Sequence, residues 1–235
     1  MDNKPDTAFQ RGRVYDLLSH AFGEPSDEFL EFVREGGLLG HIAESLSLHP
    51  CGAEIDVQPL RQAAQEVRSA TFDELTLQYE KLASPMLKVL YECNYHPPLT
   101  SSVEMADVAG FYRAFGLDFP GDRPDLLSME LEFMRIIAMK EARALMSNDR
   151  GNAEICISAQ RSFLAAHLGR WASIVSRMTE GILFYGELSK FFSNWIAAEV
   201  RYLSVETSAI LYYHLKDRDE EISDHCMKEA AHEGI

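Results

Sequence analysis

The sequence predicts an all-α fold, a compact bundle of roughly eight to ten helices. Three observations point there: apolar residues recur at spacings of three and four, sustained period-two alternation is absent, and helix start and stop signals punctuate the chain. No internal repeat or low-complexity tract interrupts the pattern.

Each element has its own signal. Tyr15, Leu18 and Phe22 share one face of a first helix, which ends near Gly23-Glu24-Pro25. A short second helix turns Phe29, Phe32 and Val33 inward. From Glu35 to Pro59, glycines and prolines break the chain into a short helix between loops. Thr71-Phe72-Asp73-Glu74 has the form of a capping box and starts the helix of Leu75, Tyr79 and Leu82. Ser101-Ser102-Val103-Glu104 repeats that signal, and its helix runs through Val108, Phe111, Tyr112 and Phe115 to Gly116, a left-handed cap. In the connector LDFPGDRPD, Asp122 is expected to cap the next helix, with Pro124 in its first turn where a missing N–H costs nothing. That long helix buries Leu127, Leu131, Met134, Ile137 and Ala138. After the break at Ser147 to Gly151, one more long helix is expected to carry Phe163, Leu164, His167, Leu168, Trp171 and Val175. Leu183, Phe184, Leu188, Phe191, Phe192 and Trp195 mark a last amphipathic segment. Residues 1–218 read as one helical domain, and 219–235 as a charged tail expected to fray.

Composition narrows the function. The chain has 235 residues, 46% hydrophobic and 25% charged, which fits a globular domain and excludes wholesale disorder. At this size folding buries roughly 70% of the surface the unfolded chain exposes, so no disulfide staple is needed. Lysine and arginine total 22 against 37 acidic residues, a formal charge of −15. Such a field repels phosphate backbones and attracts basic peptides, although solubility alone also accounts for it. The four cysteines, Cys51, Cys93, Cys156 and Cys226, form no CxxC pair and read as reduced thiols. The first twenty residues hold no apolar signal-peptide core, and no apolar run approaches ~20 residues. A cytoplasmic protein without membrane insertion is expected.

Catalytic signatures are absent. There is no GxxxxGK[ST] loop, and Gly36-Gly37-Leu38-Leu39-Gly40 follows no predicted strand. The only Glu-x-x-His, Glu229 to His232, lies in the charged tail, and Cys93 with His96 lacks a second pair for zinc. No G-x-S-x-G elbow occurs. Neither a cofactor, a metal nor a catalytic residue is expected.

Three segments stand out: LQYEKL from Leu77 with LYECNY from Leu90; DVAGFY from Asp107 with RPDLLSMELEFM from Arg123; and FLAAHLGRW from Phe163 with Phe184-Tyr185 beyond it. In this order, the set resembles the TorD/DmsD/NarJ family of redox-enzyme maturation chaperones, over most of the chain up to about Trp195. The stretch ADVAGFYRAFGL…RPDLLSMELEFM is most similar to the branch serving type II enzymes of the dimethyl sulfoxide reductase family. The resemblance implies an all-helical protein, monomer or dimer, without catalysis. It implies binding of an immature molybdopterin-containing catalytic subunit, and of its twin-arginine leader, until cofactor and iron–sulfur clusters are in place. Leader binding in the family is associated with a Pro-Asp-His-Leu connector and the helix after it. Here these map to Pro124, Asp125, Leu126 and Leu127, then Glu130, Phe133 and Met134, with Tyr79, Tyr91 and Glu92 as further candidates. Leu126 stands where many relatives have His, Gln78 where Glu is frequent, and Cys93 where Ser is frequent.

A leader offers a cationic pair and then an apolar stretch, so its receptor needs carboxylates beside an apolar groove. Each candidate also has a plainer role. Asp125 near a helix N-terminus is favourable through the macrodipole alone. Glu130, placed among apolar neighbours, is either a client contact or half of a buried ion pair. Phe133 and Met134 fit a core as well as a groove. Tyr79, Tyr91 and Glu92 can form an interior hydrogen-bonded cluster, and His167 and Trp171 can pack together inside. Two other function classes stay open: a generic helical adaptor with another client, and an all-α metalloenzyme.

Overall fold

A computed structural model describes residues 4–83, 89–119 and 121–208. The chain runs through α1 (Pro5–Ala21), α2 (Asp27–Arg34), α3 (Gly37–Ser47), α4 (Gln58–Ser69) and α5 (Phe72–Ala83). It continues through α6 (Pro98–Ala114), α7 (Leu127–Met146), α8 (Arg150–Ala166), α9 (Leu168–Met178) and α10 (Leu183–Tyr202). Short 3-10 turns occupy Gly52–Glu54 and Glu92–Tyr95. Among the described residues there is no strand, only an isolated antiparallel bridge between Tyr91 and Leu126. The all-α expectation holds. The boundary at 218 and the half-motif at Glu229 lie outside the described residues.

Several start and stop signals work as read. Thr71 Oγ1 accepts from the Glu74 N–H (3.2 Å), and the Glu74 carboxylate takes the Thr71 N–H (2.7 Å), a reciprocal capping box. Gly116 sits at φ +70°, the left-handed region that ends α6 at little cost to glycine.

Three expectations fail for identifiable reasons. The box at Ser101 is not used, because α6 begins at Pro98, where a missing N–H costs nothing. Asp122 and Pro124 do not open α7. Glu92 N–H donates to the Asp125 carbonyl (3.0 Å) and Leu127 N–H to that of Leu90 (2.8 Å), so this strip pairs with Tyr91 before the helix starts. The long helix expected through Trp171 is broken at His167 into α8 and α9. The break requires glycine nearby: a Cβ on Gly169 would lie 2.4 Å from the Leu164 carbonyl oxygen. Helix α4 was not anticipated, although Leu60, Ala63, Ala64 and Val67 carry the helical spacing and are buried.

Packing follows the apolar stripes. Helix α1 lies along α7, which also packs on α8, while α10 contacts α4, α5 and α9. Tyr15 meets Trp195 edge-on at 5.5 Å, and Phe133 meets Phe163 at 4.7 Å beside Tyr112. One polar knot lies within this core. Arg11, fully buried, donates from Nη1 to Glu141 (3.0 Å) and from Nη2 to Gln160 (2.6 Å) and Glu199 (2.7 Å). One guanidinium thus ties α1 to α7, α8 and α10. Its fork geometry matches the acceptors on three sides, as a lysine would not.

Candidate functional site

The strip from Arg123 to Leu126 meets the 3-10 turn Glu92–Tyr95 where the bridge forms. Side chains fasten it. Asp125 accepts two hydrogen bonds from the Arg123 guanidinium (both 2.8 Å) and one from the Cys93 backbone N–H (3.1 Å). Arg123 in turn stacks over the Tyr91 ring at 4.3 Å. Tyr112 donates its hydroxyl to the Pro124 carbonyl at 2.8 Å. Cys93 thus meets Asp125 twice, through its backbone N–H and through a hydrogen bond of its thiol to the same carboxylate.

Behind the strip lies a buried acid–histidine cluster. Glu92 Oε2 is 2.9 Å from His167 Nδ1, and His167 Nε2 is 3.2 Å from Asp107 Oδ2. With a carboxylate oxygen at each ring nitrogen, both nitrogens must donate, which requires the imidazolium form. Burial opposes that charge, but the hydrogen bond and charge of Glu92, with Asp107 and Glu104 beyond, raise the His167 pKa above its ordinary value. Burial also opposes ionisation of Glu92, yet bonding to His167 and His96 outweighs it and holds this carboxyl below its usual range. His96 stands 3.6 Å from Glu92 and 3.5 Å from Glu104 of α6.

Glu130 behaves in the opposite sense. It is fully buried in the first turn of α7, and its Oε2 accepts from Trp171 Nε1 at 3.2 Å. Burial, then the charges of Glu92 and Asp125, push its pKa well above the carboxylate range, so the fold favours its protonated form. A hydrogen bond between the Glu130 and Glu92 carboxyls acts in the same upward direction, and it needs a proton on one of them. Of the two roles open to Glu130, a buried ion pair is not what forms: among the described residues no cationic side chain pairs with it, and Trp171 is its donor.

The site residues divide by depth. Glu92, Pro124, Asp125, Leu127, Glu130, Phe133 and Met134 are buried, whereas Tyr79, Tyr91 and Leu126 are partly exposed. An open cleft lined by Asp125 and Glu130 is therefore not what the fold presents. Both carboxyls are turned inward because each finds its partners there. Tyr79 leans toward Tyr185 of α10 (6.1 Å) and lies near enough to Tyr91 that, after burial, Tyr91 helps raise its pKa. The neighbouring Gln78 accepts from the Phe184 N–H at 3.1 Å; nothing in the structure explains an amide there where an acid is frequent. His167 and Trp171 are both buried, but they serve different acids, Glu92 and Glu130.

Sequence reasoning missed Arg123, His96 and Asp107 as parts of the site. Arg123 had a signal, an Arg two residues before an Asp across a proline, and His96 had one in standing four residues after Glu92; the contacts of His167 with Glu92 and Asp107 span 75 and 60 positions and had none. The cluster is suited to holding a surface in place, not to reaction. Burial and the adjacent Asp125 and Glu92 raise the Cys93 thiol pKa, so it is no nucleophile. Among the described residues no group of three or more His, Cys, Asp or Glu side chains is arranged to hold a metal ion.

A family model described as nitrate reductase delta subunit matches residues 51–176, a stretch that includes the whole acid–histidine cluster and the strip. A perchlorate reductase assembly chaperone protein from Dechloromonas aromatica (strain RCB) is 30% identical over 185 residues, covering 72% of this chain and 78% of its own. The ordered motifs, the helical fold and both matches agree: the chain belongs to the nitrate reductase delta subunit family, of the TorD/NarJ type of redox-enzyme assembly chaperone, and is not an enzyme.

Proposed function

We propose that this protein is a cytoplasmic chaperone dedicated to one molybdopterin-containing catalytic subunit, of the type II branch of the dimethyl sulfoxide reductase family. It holds that subunit while cofactor is inserted, engages its twin-arginine leader and so prevents premature export. The relative's role in perchlorate reductase assembly supports this client class. In the contact itself, Tyr79, Tyr91 and Leu126 touch the client, while Glu92, Pro124, Asp125, Leu127, Glu130, Phe133 and Met134 fix the shape they present. The observation that carries this assignment is the fastening of a partly exposed strip, which presents Leu126, by a buried carboxylate, Asp125, with two hydrogen bonds from Arg123. A rigid surface loses little entropy when a peptide docks on it. The net charge of −15 draws a cationic leader toward it. No helix among the described residues is long and apolar enough to cross a membrane.

Titration with an Arg-Arg leader peptide of the host's reductase and with its Lys-Lys variant tests the reading. Saturable binding of the first, and weaker binding of the second, is expected because a guanidinium stacks on tyrosine rings, such as those of Tyr79 and Tyr91, more favourably than an ammonium does. Failure to bind either the leader or the cofactor-free subunit overturns it. Mass spectrometry of proteins co-purified from the native host identifies the client.

A further inference from the structure

We propose that the cleft between Phe115, the last turns of α7 and the first turns of α8 binds an amphiphilic organic anion, a small molecule with an apolar body and a carboxylate or phosphate. The cleft has a volume of about 440 Å³, inside the usual range for small-molecule sites. It lies away from the strip: Arg143 is 16 residues along α7 from Leu127, about 24 Å at the helical rise.

The charge of the lining is the unusual feature. In a molecule of net charge −15, Lys140 and Arg143 both face this cleft. Arg143 has no acidic partner among the described residues. The Lys140 ammonium reaches only the Phe115 carbonyl (3.3 Å) and lies 5.8 Å from that residue's ring centre. The one acid in the lining, Asp149, is already engaged, accepting from the Asn152 N–H (3.0 Å) and Nδ2 (2.6 Å) as it caps α8. Neither cation forms an ion pair with it, so the lining keeps one net positive charge beside an apolar wall of Phe115, Ala144 and Ile155, the last 57% exposed. An uncharged ligand would cover the wall and leave the cations unanswered, and a bare inorganic anion would do the reverse. A ligand with both parts answers both. Nucleic acid is disfavoured by the field of the whole molecule.

The probes are 8-anilinonaphthalene-1-sulfonate, an apolar body with one anionic group, and neutral N-phenyl-1-naphthylamine. Saturable binding of the anionic dye is expected, weakening with salt. In Lys140→Glu/Arg143→Glu its affinity should fall about tenfold or more, with the neutral dye unaffected. Ile155→Asp should weaken both dyes. Displacement by phenyl phosphate or by 3-phenylpropionate then tells which anion is preferred. All three positions are exposed, and circular dichroism verifies the fold; Lys140→Gln/Arg143→Gln gives the same readout by a smaller factor. Unchanged dye affinity in the charge variants, equal loss of both dyes, or no displacement by either anion overturns the proposal.

Discussion

His167 bridges two carboxylates, with Nδ1 2.9 Å from Glu92 and Nε2 3.2 Å from Asp107. The bridge joins the end of α8 to the 3-10 turn and to α6, and it exists only where the chain breaks between α8 and α9. A continuous helix would have placed the ring on one stripe with Trp171. The break instead gives His167 to Glu92 and leaves Trp171 to Glu130.

His167→Ala leaves Glu92 buried and without its closest partner. We expect a loss of about 3 kcal/mol in urea unfolding at pH 6, the usual cost of removing one member of a buried pair. The contribution depends on pH in a definite way. With a raised folded pKa, His167 stabilises fully below its unfolded value near 6.5 and loses that effect as pH climbs through the folded one. Glu92, with a lowered pKa, contributes above about pH 4.5 and less as pH falls. The difference between wild type and His167→Ala should therefore be largest between roughly pH 4.5 and 6.5.

Glu130→Gln should not destabilise at neutral pH. Glutamine keeps an acceptor for Trp171 Nε1 and a donor toward Glu92, and it cannot ionise. Because the folded state holds the Glu130 proton more tightly than the unfolded chain, wild-type stability falls as pH rises above about 4.5. The variant should lack that decline and be more stable at pH 8 by about 1–2 kcal/mol, measured as a change in denaturation midpoint across pH. A Glu130→Lys protein, by contrast, should unfold more readily, since it places a bulky base in a filled interior.

Arg11→Met removes the centre of the other polar knot and leaves Glu141 and Glu199 buried together. A loss of about 3–5 kcal/mol is expected, with little remaining helical content on warming. Glu199 also sets the acid limit. Burial opposes its charge, but Arg11 and His49 overcome this and hold it at about 2. Its contribution, on the order of 3 kcal/mol, is present above pH 4.5 and is lost as pH falls toward 2. Acid unfolding of the wild type should show that slope, and Glu199→Gln should reduce it.

How much of this was legible in the sequence depends on what each feature rests on. Local chemistry read well: the Thr71–Glu74 box and the Gly116 cap involve residues within one turn, so spacing alone defines them. Signals that compete with tertiary pairing read badly. Asp122 and Ser101 are good caps, yet the Tyr91–Leu126 bridge and Pro98 decide where the helices begin. Glu130 could be singled out because an acid in an apolar stripe is unusual; Glu141, beside Ala138 and Ala142, carried the same signal and was passed over. Its partner Arg11 lies 130 positions away, and no local pattern encodes that pairing. The inward turn of Asp125 was hidden likewise, because its acceptance of the Cys93 N–H depends on a residue 32 positions earlier.

Asp125→Asn should loosen the strip without melting the bundle. One acceptor oxygen remains for the Cys93 N–H, but the bidentate contact to Arg123 is lost. We expect a stability cost of about 1–2 kcal/mol and unchanged helical content at 25 °C. Client affinity should fall by more than that stability change alone explains.

The most direct measurement is calorimetric titration of the cofactor-free catalytic subunit into wild type and into Leu126→Glu, whose position on the strip is partly exposed. Wild type should bind, and the variant should bind about tenfold or more weakly at the same thermal midpoint, because an acid replaces an apolar contact at the docking surface. Equal affinity of the two proteins, or no binding by wild type, would contradict the account.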